Sequence, residues 1–258
     1  AHSRSPRLFR HWLDLHGLPG QYVPAHVDPA DLETVLRAMP RMGFVGTNVT
    51  LPHKEQALRI ADEVTETARR IGAANTLTFG AIRADNTDAY GFMANLRQSA
   101  PGWRPAAGPA LVLGAGGAAR AIVVALLDAG VPEVVLTNRT RARAEDLAAT
   151  LGGPISVIDW SEAAKGIEGA ATVVNTTALG MQGKDPLVLD LSALTPAHLV
   201  TDIVYTPLRT DLLASAEAAG CTTVDGLGML LHQAVPGFER WFGLRPEVTE
   251  DTRKAALA

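Results

Sequence analysis

Apolar residues recur at helical spacing through Leu8, Phe9, Trp12, Leu13 and Leu15, with Pro6 ahead of them and Gly17 behind, which predicts an opening helix. Residues 21–27 form a short strand candidate. Asp28-Pro29 then supplies an N-cap and a proline at the first position of a second helix. Residues 43–49 read as a strand and 52–60 as a helix. Residues 74–79 and 81–85 read as a hairpin around Gly80, and 87–99 as a helix.

Residues 100–109 are rich in proline and glycine and mark a connection between domains. Beyond them strands and helices alternate. Strands are expected at 110–113, 134–137, 155–157, 172–174 and 199–203, with helices at 117–129 and 141–151. Alternation of this kind predicts a parallel, doubly wound sheet, so the fold class is α/β with two domains. The closing segments 226–243 and 247–257 are helical, with a kink expected at Pro236, whose nitrogen has no proton to donate. They are expected to return to the first domain. The domains then comprise 1–99 plus about 230–258, and 100–229. The opening run Ala1-His2-Ser3-Arg4-Ser5-Pro6 reads as the middle of a functional loop, so an earlier strand is expected ahead of it.

Composition narrows the function classes. Hydrophobic residues make up 47% of the 258 residues and charged residues 19%, as in ordinary globular proteins. A net charge of −4 offers no basic field for nucleic acid. No apolar run reaches the roughly 18 residues of a membrane span; the run 118–129 is broken by Arg120 and Asp128 and reads as a buried helix. Cys221 is the single cysteine, so no internal disulfide forms. A reducing cytoplasm and a structural, buried thiol are expected. Seven histidines and that cysteine show no ligand spacing, so no metal is expected.

Chemistry begins at Gly114-Ala115-Gly116-Gly117-Ala118-Ala119, between an apolar strand and an apolar helix. Gly114, Gly116 and Ala119 match G-x-G-x-x-G/A, the phosphate turn of a Rossmann-type dinucleotide site. Gly114 allows the tight turn, Gly116 lets a pyrophosphate approach the backbone, and Ala119 lets the helix pack on the strand. The N–H groups and helix dipole favour a phosphate there. About 20 residues on, where an NAD site places Asp or Glu, the chain has Asn138-Arg139-Thr140, then Arg141 and Arg143. Guanidinium groups suit a 2′-phosphate, so NADP is the expected cofactor.

Several segments occur together in one order: Ser3-Arg4-Ser5-Pro6, Asn48-Val49-Thr50-Leu51-Pro52-His53-Lys54, Gly72-Ala73-Ala74-Asn75-Thr76 and Asp85-Asn86-Thr87-Asp88. After the glycine loop and Asn138-Arg139-Thr140 come Asn175-Thr176-Thr177-Ala178-Leu179-Gly180-Met181, Asp202-Ile203-Val204-Tyr205-Thr206-Pro207-Leu208, and Gly226-Leu227-Gly228-Met229-Leu230 with Gln233. In this the chain resembles the shikimate dehydrogenase family over nearly its whole length. The resemblance implies NADP-dependent, reversible reduction of 3-dehydroshikimate to shikimate in aromatic amino-acid biosynthesis, by a monomer or homodimer.

The resemblance also implies roles. Ser3, Ser5 and Tyr205 would receive the ring carboxylate, and Asn48, Thr50, Asn75 and Gln233 the ring hydroxyls. Lys54 and Asp88 would form the acid–base pair. Glu66, Thr176, Ile203 and Gly226 would join the glycine loop, Asn138, Arg139, Thr140 and Arg143 around the cofactor. Residue chemistry leaves the proton carrier open: a lysine near pKa 10.4 is lowered by desolvation and raised by a neighbouring aspartate. His53 is expected to face away, since adjacent helical residues point about 100° apart. Ala89-Tyr90, His232 and Pro236-Gly237 depart from the family pattern. Rival readings are a quinate or aminoshikimate dehydrogenase and a catalytically silent dinucleotide sensor. Quinate carries an extra tertiary hydroxyl, and Ser5 rather than threonine, with Arg139, favours shikimate and NADP.

Overall fold

A computed structural model describes residues 3–258. They form two compact units, Ala1–Gly91 with Leu230–Ala258, and Phe92–Met229. The division falls inside two continuous helices, α5 and α10 below, and ahead of the 100–109 segment.

The first unit opens with α1 (Ser5–His16), closed by Gly17 in the left-handed conformation, and α2 (Leu32–Ala38). Then come β1 (Gly46–Asn48), α3 (Lys54–Ile60), β2 (Glu63–Val64), α4 (Glu66–Ile71), β3 (Thr76–Thr78), β4 (Arg83–Asp85) and the start of α5 (Asp88–Ser99). The strands form one sheet in the order β1-β3-β4-β2, in which β1–β3 and β3–β4 are antiparallel and β2–β4 is parallel. The hairpin around Gly80 forms with Thr76 opposite Asp85.

Two local expectations are corrected. Residues 21–27 join no sheet: Pro24 lacks a ladder donor, and only Tyr22 and Val27 are even half-buried. Asp28 makes no capping bond and precedes a 3-10 turn, Pro29–Asp31, so the α-helix starts later, at Leu32.

The second unit contains β5 (Ala110–Leu113), α6 (Gly117–Asp128), β6 (Val134–Thr137), α7 (Arg141–Leu151), β7 (Ile155–Ile158), α8 (Ala163–Glu168), β8 (Thr172–Asn175), β9 (Leu199–Asp202), α9 (Asp211–Ala218) and β10 (Thr222–Val224). Its six strands are all parallel, in the order β10-β9-β8-β5-β6-β7. That is the doubly wound order, with its reversal between β5 and β8. The central strands β5, β8 and β9 are buried at every residue, as strands covered on both faces must be. Leu111, Leu113, Val173 and Val200 pack with Ile167, Leu212 and Leu213 from α8 and α9. Cys221 sits at this core's margin, half-buried rather than buried, and its thiol donates to the Thr195 carbonyl at 3.2 Å.

The chain closes with α10 (Gly226–Phe242), which runs through Pro236 without a break, and α11 (Glu250–Leu257). In the first unit the rings of Phe9, Trp12 and Phe238 meet at centroid distances of 5.3–5.9 Å and lock α1 to the later turns of α10. The Arg4 guanidinium donates to the Ala256 carbonyl at 2.9 Å, so α11 packs on α1. A separate cluster, including Leu32, Leu36, Ile60, Leu77 and Ile82, joins α2 and α3 to the sheet.

Asp85, at the end of β4, is buried and ion-paired with Arg240 of α10. Burial pushes its carboxyl up, but the Thr65 hydroxyl at 2.7 Å, the Arg240 guanidinium and the Asn86 N–H at 2.8 Å outweigh that and hold it below the usual range. A carboxylate lowered in the folded state stabilises above its unfolded pKa of about 3.9, and that stabilisation fades as pH falls through the lowered value. Arg240→Ala is expected to cost roughly 1–3 kcal/mol near neutrality, because it leaves a buried carboxylate short of a partner. The loss should shrink below pH 4, as followed by denaturant unfolding across pH 3–7; a loss constant across that range would contradict the assignment.

Candidate active site

Four polar side chains meet inside the first unit. Lys54 is the first residue of α3 and Asp88 the first of α5. Asn75 immediately precedes β3, and Gln233 lies on α10. The Lys54 ammonium donates to Asp88 Oδ2 at 2.5 Å. The Asn75 amide donates to Asp88 Oδ1 at 2.7 Å and to Gln233 Oε1 at 3.2 Å. Asn75 Oδ1 accepts from the Thr87 N–H at 2.8 Å and from the hydroxyls of Thr76 and Thr87. Asp88 suits a helix N-terminus, where the dipole favours negative charge. Lys54 does not suit one, so its place at the head of α3 relies on the aspartate opposite. Their side chains are only 15% and 9% exposed, which keeps the pair from full solvent screening.

His53 stands at the N-cap of α3 but makes no capping bond. His232 lies beside Gln233. Burial first, then the charge of Arg253, holds its imidazole down at about 4, so it is neutral at pH 7.

A second polar group in this unit surrounds Asn48. Its amide donates to the Asn75 carbonyl at 3.2 Å and the Thr76 hydroxyl at 3.1 Å, while its Oδ1 accepts from the Tyr22 hydroxyl at 2.9 Å. Tyr22 stacks on Phe9, with ring centroids 4.1 Å apart. Burial pushes its phenol up to about 12, against a smaller lowering by a hydrogen bond from Ser5. Ser5 is buried as the first residue of α1, and its N–H donates to the Ser3 hydroxyl at 3.3 Å. Thr50 is exposed. Tyr22 thus links two residues expected to bind substrate, although no local pattern singles it out. Its partner Asn48 is 26 positions away.

The second unit carries a cleft of about 350 Å³. The glycine loop, Asn138, Arg139 and Arg143 line it, as do Thr176 to Leu179, Trp160, Lys184 and Asp185. It lies past the carboxyl ends of β5, β6, β7 and β8, at the topological switch point. Gly114 adopts φ +105°, and a Cβ there would come within 2.7 Å of the Thr176 hydroxyl, so packing alone demands glycine. Gly116 differs. Its φ of −91° is open to any residue, and a Cβ would meet nothing within 4 Å. Nothing in the chain itself requires glycine there, whereas a phosphate held against the loop would. Asn138 Oδ1 accepts from the Ala115 N–H at 3.3 Å and its amide donates to the Thr140 carbonyl at 2.9 Å, which ties the loop to the turn after β6.

Arg139 and Arg143 face the cleft, and among the described residues neither pairs with a carboxylate. Arg141 does not line it; Glu145 at 2.7 Å and Asp159 at 2.9 Å hold it instead. The wall formed by Thr176 to Leu179 is braced by Asn175, whose Oδ1 accepts from Thr177 and whose amide donates to buried Asp202 at 3.0 Å. Trp160, Lys184 and Asp185 were not singled out in the sequence. They arrive from after β7 and from the loop after β8, so only the sheet order brings them here.

Other residues expected at the cofactor, and Tyr205 expected at the substrate, are not among those lining this cleft. Gly117 and Ala118 form the first turn of α6, and Thr140 precedes α7, but none of the three lines the cleft. Ile203 and Gly226 touch each other: a Cβ on Gly226 would fall 2.3 Å from the Ile203 carbonyl oxygen, so close backbone approach requires glycine there. Tyr205 is half-buried in the second unit, and Glu66 opens α4 in the first. Among the described residues no group of three or more His, Cys, Asp or Glu side chains is placed to hold a metal ion.

Three family profiles match the chain: shikimate dehydrogenase substrate binding domain over residues 1–77, shikimate/quinate 5-dehydrogenase over 104–182, and shikimate 5′-dehydrogenase C-terminal domain over 226–257. The NADP(+) shikimate dehydrogenase of Paracoccus denitrificans is 62% identical over 261 residues, covering 100% of this chain and 93% of that protein. That of Cereibacter sphaeroides is 63% identical, covering 100% and 94%. Among solved structures, the quinate dehydrogenase of Corynebacterium glutamicum in complex with NAD superposes with a TM-score of 0.91 at 33% identity, covering 99% of this chain and 94% of that one. The shikimate 5-dehydrogenase of Thermus thermophilus in complex with NADP(H) and shikimate gives 0.83 at 38% identity, with coverage of 99% and 94%. Identity above 60% across the whole chain, with three matching profiles in sequence order, places this protein in the shikimate dehydrogenase family.

Proposed function

We propose that this chain reduces 3-dehydroshikimate reversibly to shikimate with NADP, in aromatic amino-acid biosynthesis in the cytoplasm, as a monomer or homodimer. The observation that carries this reading is the hydrogen-bonded set Lys54, Asp88, Asn75 and Gln233, in a chain more than 60% identical to NADP(+) shikimate dehydrogenases. A silent sensor would have no use for a buried ion pair at the end of two helices, which costs desolvation. Among the described residues, no helix is long and apolar enough to cross a membrane.

The bound dinucleotide supplies the hydride acceptor in one direction and the donor in the other. Its phosphates would rest on the glycine loop, with Arg139 and Arg143 on the 2′-phosphate. The chain must move the hydroxyl proton. Lys54 holds that proton in our reading. Asp88 already accepts from Asn75 on one oxygen and from Lys54 on the other, so both of its oxygens are taken as acceptors. The ammonium keeps two further protons for the reacting oxygen. On reduction it gives one of them to the new alkoxide and is left a neutral amine, and on oxidation Lys54 starts as that neutral amine and takes the hydroxyl proton as the hydride leaves the same carbon. Asn75 and Gln233 would orient neighbouring hydroxyls, Asn48 and Thr50 would complete the ring contacts, and Ser3, Ser5 and Tyr205 would receive the carboxylate.

Steady-state rates with shikimate and quinate, each with NADP and NAD, test the reaction. The highest kcat/KM is expected for shikimate with NADP; faster turnover of quinate with NAD would sink the assignment. Lys54→Met should lower kcat by about 10²–10⁴, the usual share of a general acid–base group, with NADP affinity kept. Arg139→Ala should weaken NADP at least tenfold and NAD little, because only NADP carries the 2′-phosphate; equal losses for both cofactors would contradict that role. Tyr22→Phe preserves the stack on Phe9 but frees Asn48 Oδ1. It should raise the KM for shikimate about 3- to 10-fold, the range of one net hydrogen bond, with kcat and NADP affinity near wild type. An unchanged KM would leave Tyr22 a packing residue only.

A further inference from the structure

The cleft of the second unit has an aromatic wall to which the reaction assigns no task. Trp160 lies two residues past β7 and lines the same cleft as the glycine loop, Arg139 and Arg143. β7 pairs with β6 so that Ile158 stands opposite Thr137, and the two chains therefore leave the sheet side by side. Asn138-Arg139 and Asp159-Trp160 emerge as neighbours, one and two strands further from the switch point than the glycine loop.

The indole is held in place from behind. Part of it packs against the core cluster that contains Leu111 and Ile167, and the residue as a whole is half-buried. Its turn is closed by reciprocal bonds between Asp159 and Glu162. Arg141 fastens that turn to α7, donating to Asp159 Oδ1 at 2.9 Å and to the Val157 carbonyl at 3.2 Å. This explains why Arg141 is absent from the cleft while its neighbours in sequence line it.

The cleft thus offers an anion cradle at the glycine loop, two guanidinium groups after β6 and a flat apolar ring after β7. A molecule that matches this order has a pyrophosphate, a further phosphate and a planar aromatic base. We infer that Trp160 is the wall on which the adenine ring of the dinucleotide rests, and that Arg141 positions it through Asp159. The inference rests on the cofactor reading above and deepens it. It separates two duties: Arg139 and Arg143 recognise the 2′-phosphate, and Trp160 binds the base common to NADP and NAD.

Cofactor fragments titrated into the full chain by calorimetry separate these duties. Trp160→Leu keeps apolar volume against the core and removes the flat ring. It should weaken adenosine 5′-monophosphate and adenosine 2′,5′-bisphosphate by the same factor, roughly tenfold, as loss of a base–aromatic stack does. Arg139→Ala should weaken only the bisphosphate. In the wild type, adenosine 2′,5′-bisphosphate should quench part of the tryptophan emission, and Trp160→Phe should abolish that change while binding persists. Trp160→Leu binding both fragments as tightly as wild type, or a quench that survives in Trp160→Phe, overturns the role of Trp160 alone. A wild-type chain that binds neither fragment nor NADP overturns the cofactor reading with it.

Discussion

The buried amide of Asn75 is the constraint on which the first unit's polar interior depends. One side-chain oxygen takes up the Thr87 N–H and two hydroxyls, and one nitrogen serves both Asp88 and Gln233. Those bonds reach the start of β3, the start of α5 and the middle of α10 at once. A buried amide has few alternatives to full satisfaction, because each lost bond leaves a desolvated donor or acceptor. Its demands therefore set the position of Asp88, and Asp88 in turn holds Lys54 at a helix end that would otherwise repel it. The chemistry proposed for Lys54 rests on a hydrogen-bond hub that touches it only through Asp88.

The second unit is organised by a different constraint. Six parallel strands form the sheet; its central strands β5 and β8 are buried throughout, and any polar side chain in these two stands at a strand end. Reversal of the strand order between β5 and β8 opens a crevice at their carboxyl ends. The polar groups of the cleft come from the connections that follow β5, β6, β7 and β8, with Arg143 on the first turn of α7. Gly116 marks the side where a ligand belongs, since neither its backbone angles nor its neighbours need glycine. Gly114 and Gly226, in contrast, are explained by close packing within the chain.

Electrostatics shows how similar residues separate in role. Of the three arginines at 139, 141 and 143, one is consumed by Glu145 and Asp159 and the other two are left facing the cleft. Asp85 and Asp202 are both buried aspartates at strand ends, yet their carboxyls shift in opposite directions. Asp85 has Arg240 beside it; Asp202 has only hydrogen bonds from Asn175, Thr210 and the Val204 N–H, which do not offset its burial.

The alternation of apolar strands and helices after residue 109 was legible because a buried parallel strand must be continuously apolar, and β5, β6 and α7 begin and end where that pattern does. The family motifs likewise named Lys54, Asp88, Asn75 and Gln233, which the fold brings into one hydrogen-bonded set. What the pattern misjudged was local and weakly constrained. The 21–27 segment has strand-like residues but no partner strand, and the Asp28 cap serves a tighter turn than expected. Other features were decided only by tertiary structure. Tyr22 reaches Asn48 across 26 residues, and Trp160 joins Arg139 because β7 lies beside β6. Sequence by itself named residues whose types suit the proposed chemistry and determined which segments must be buried, since those follow from residue type and period. Only the folded chain decided which polar groups share a hydrogen-bond partner and which cation stays free, because that depends on what strand order and helix packing place within about 3 Å.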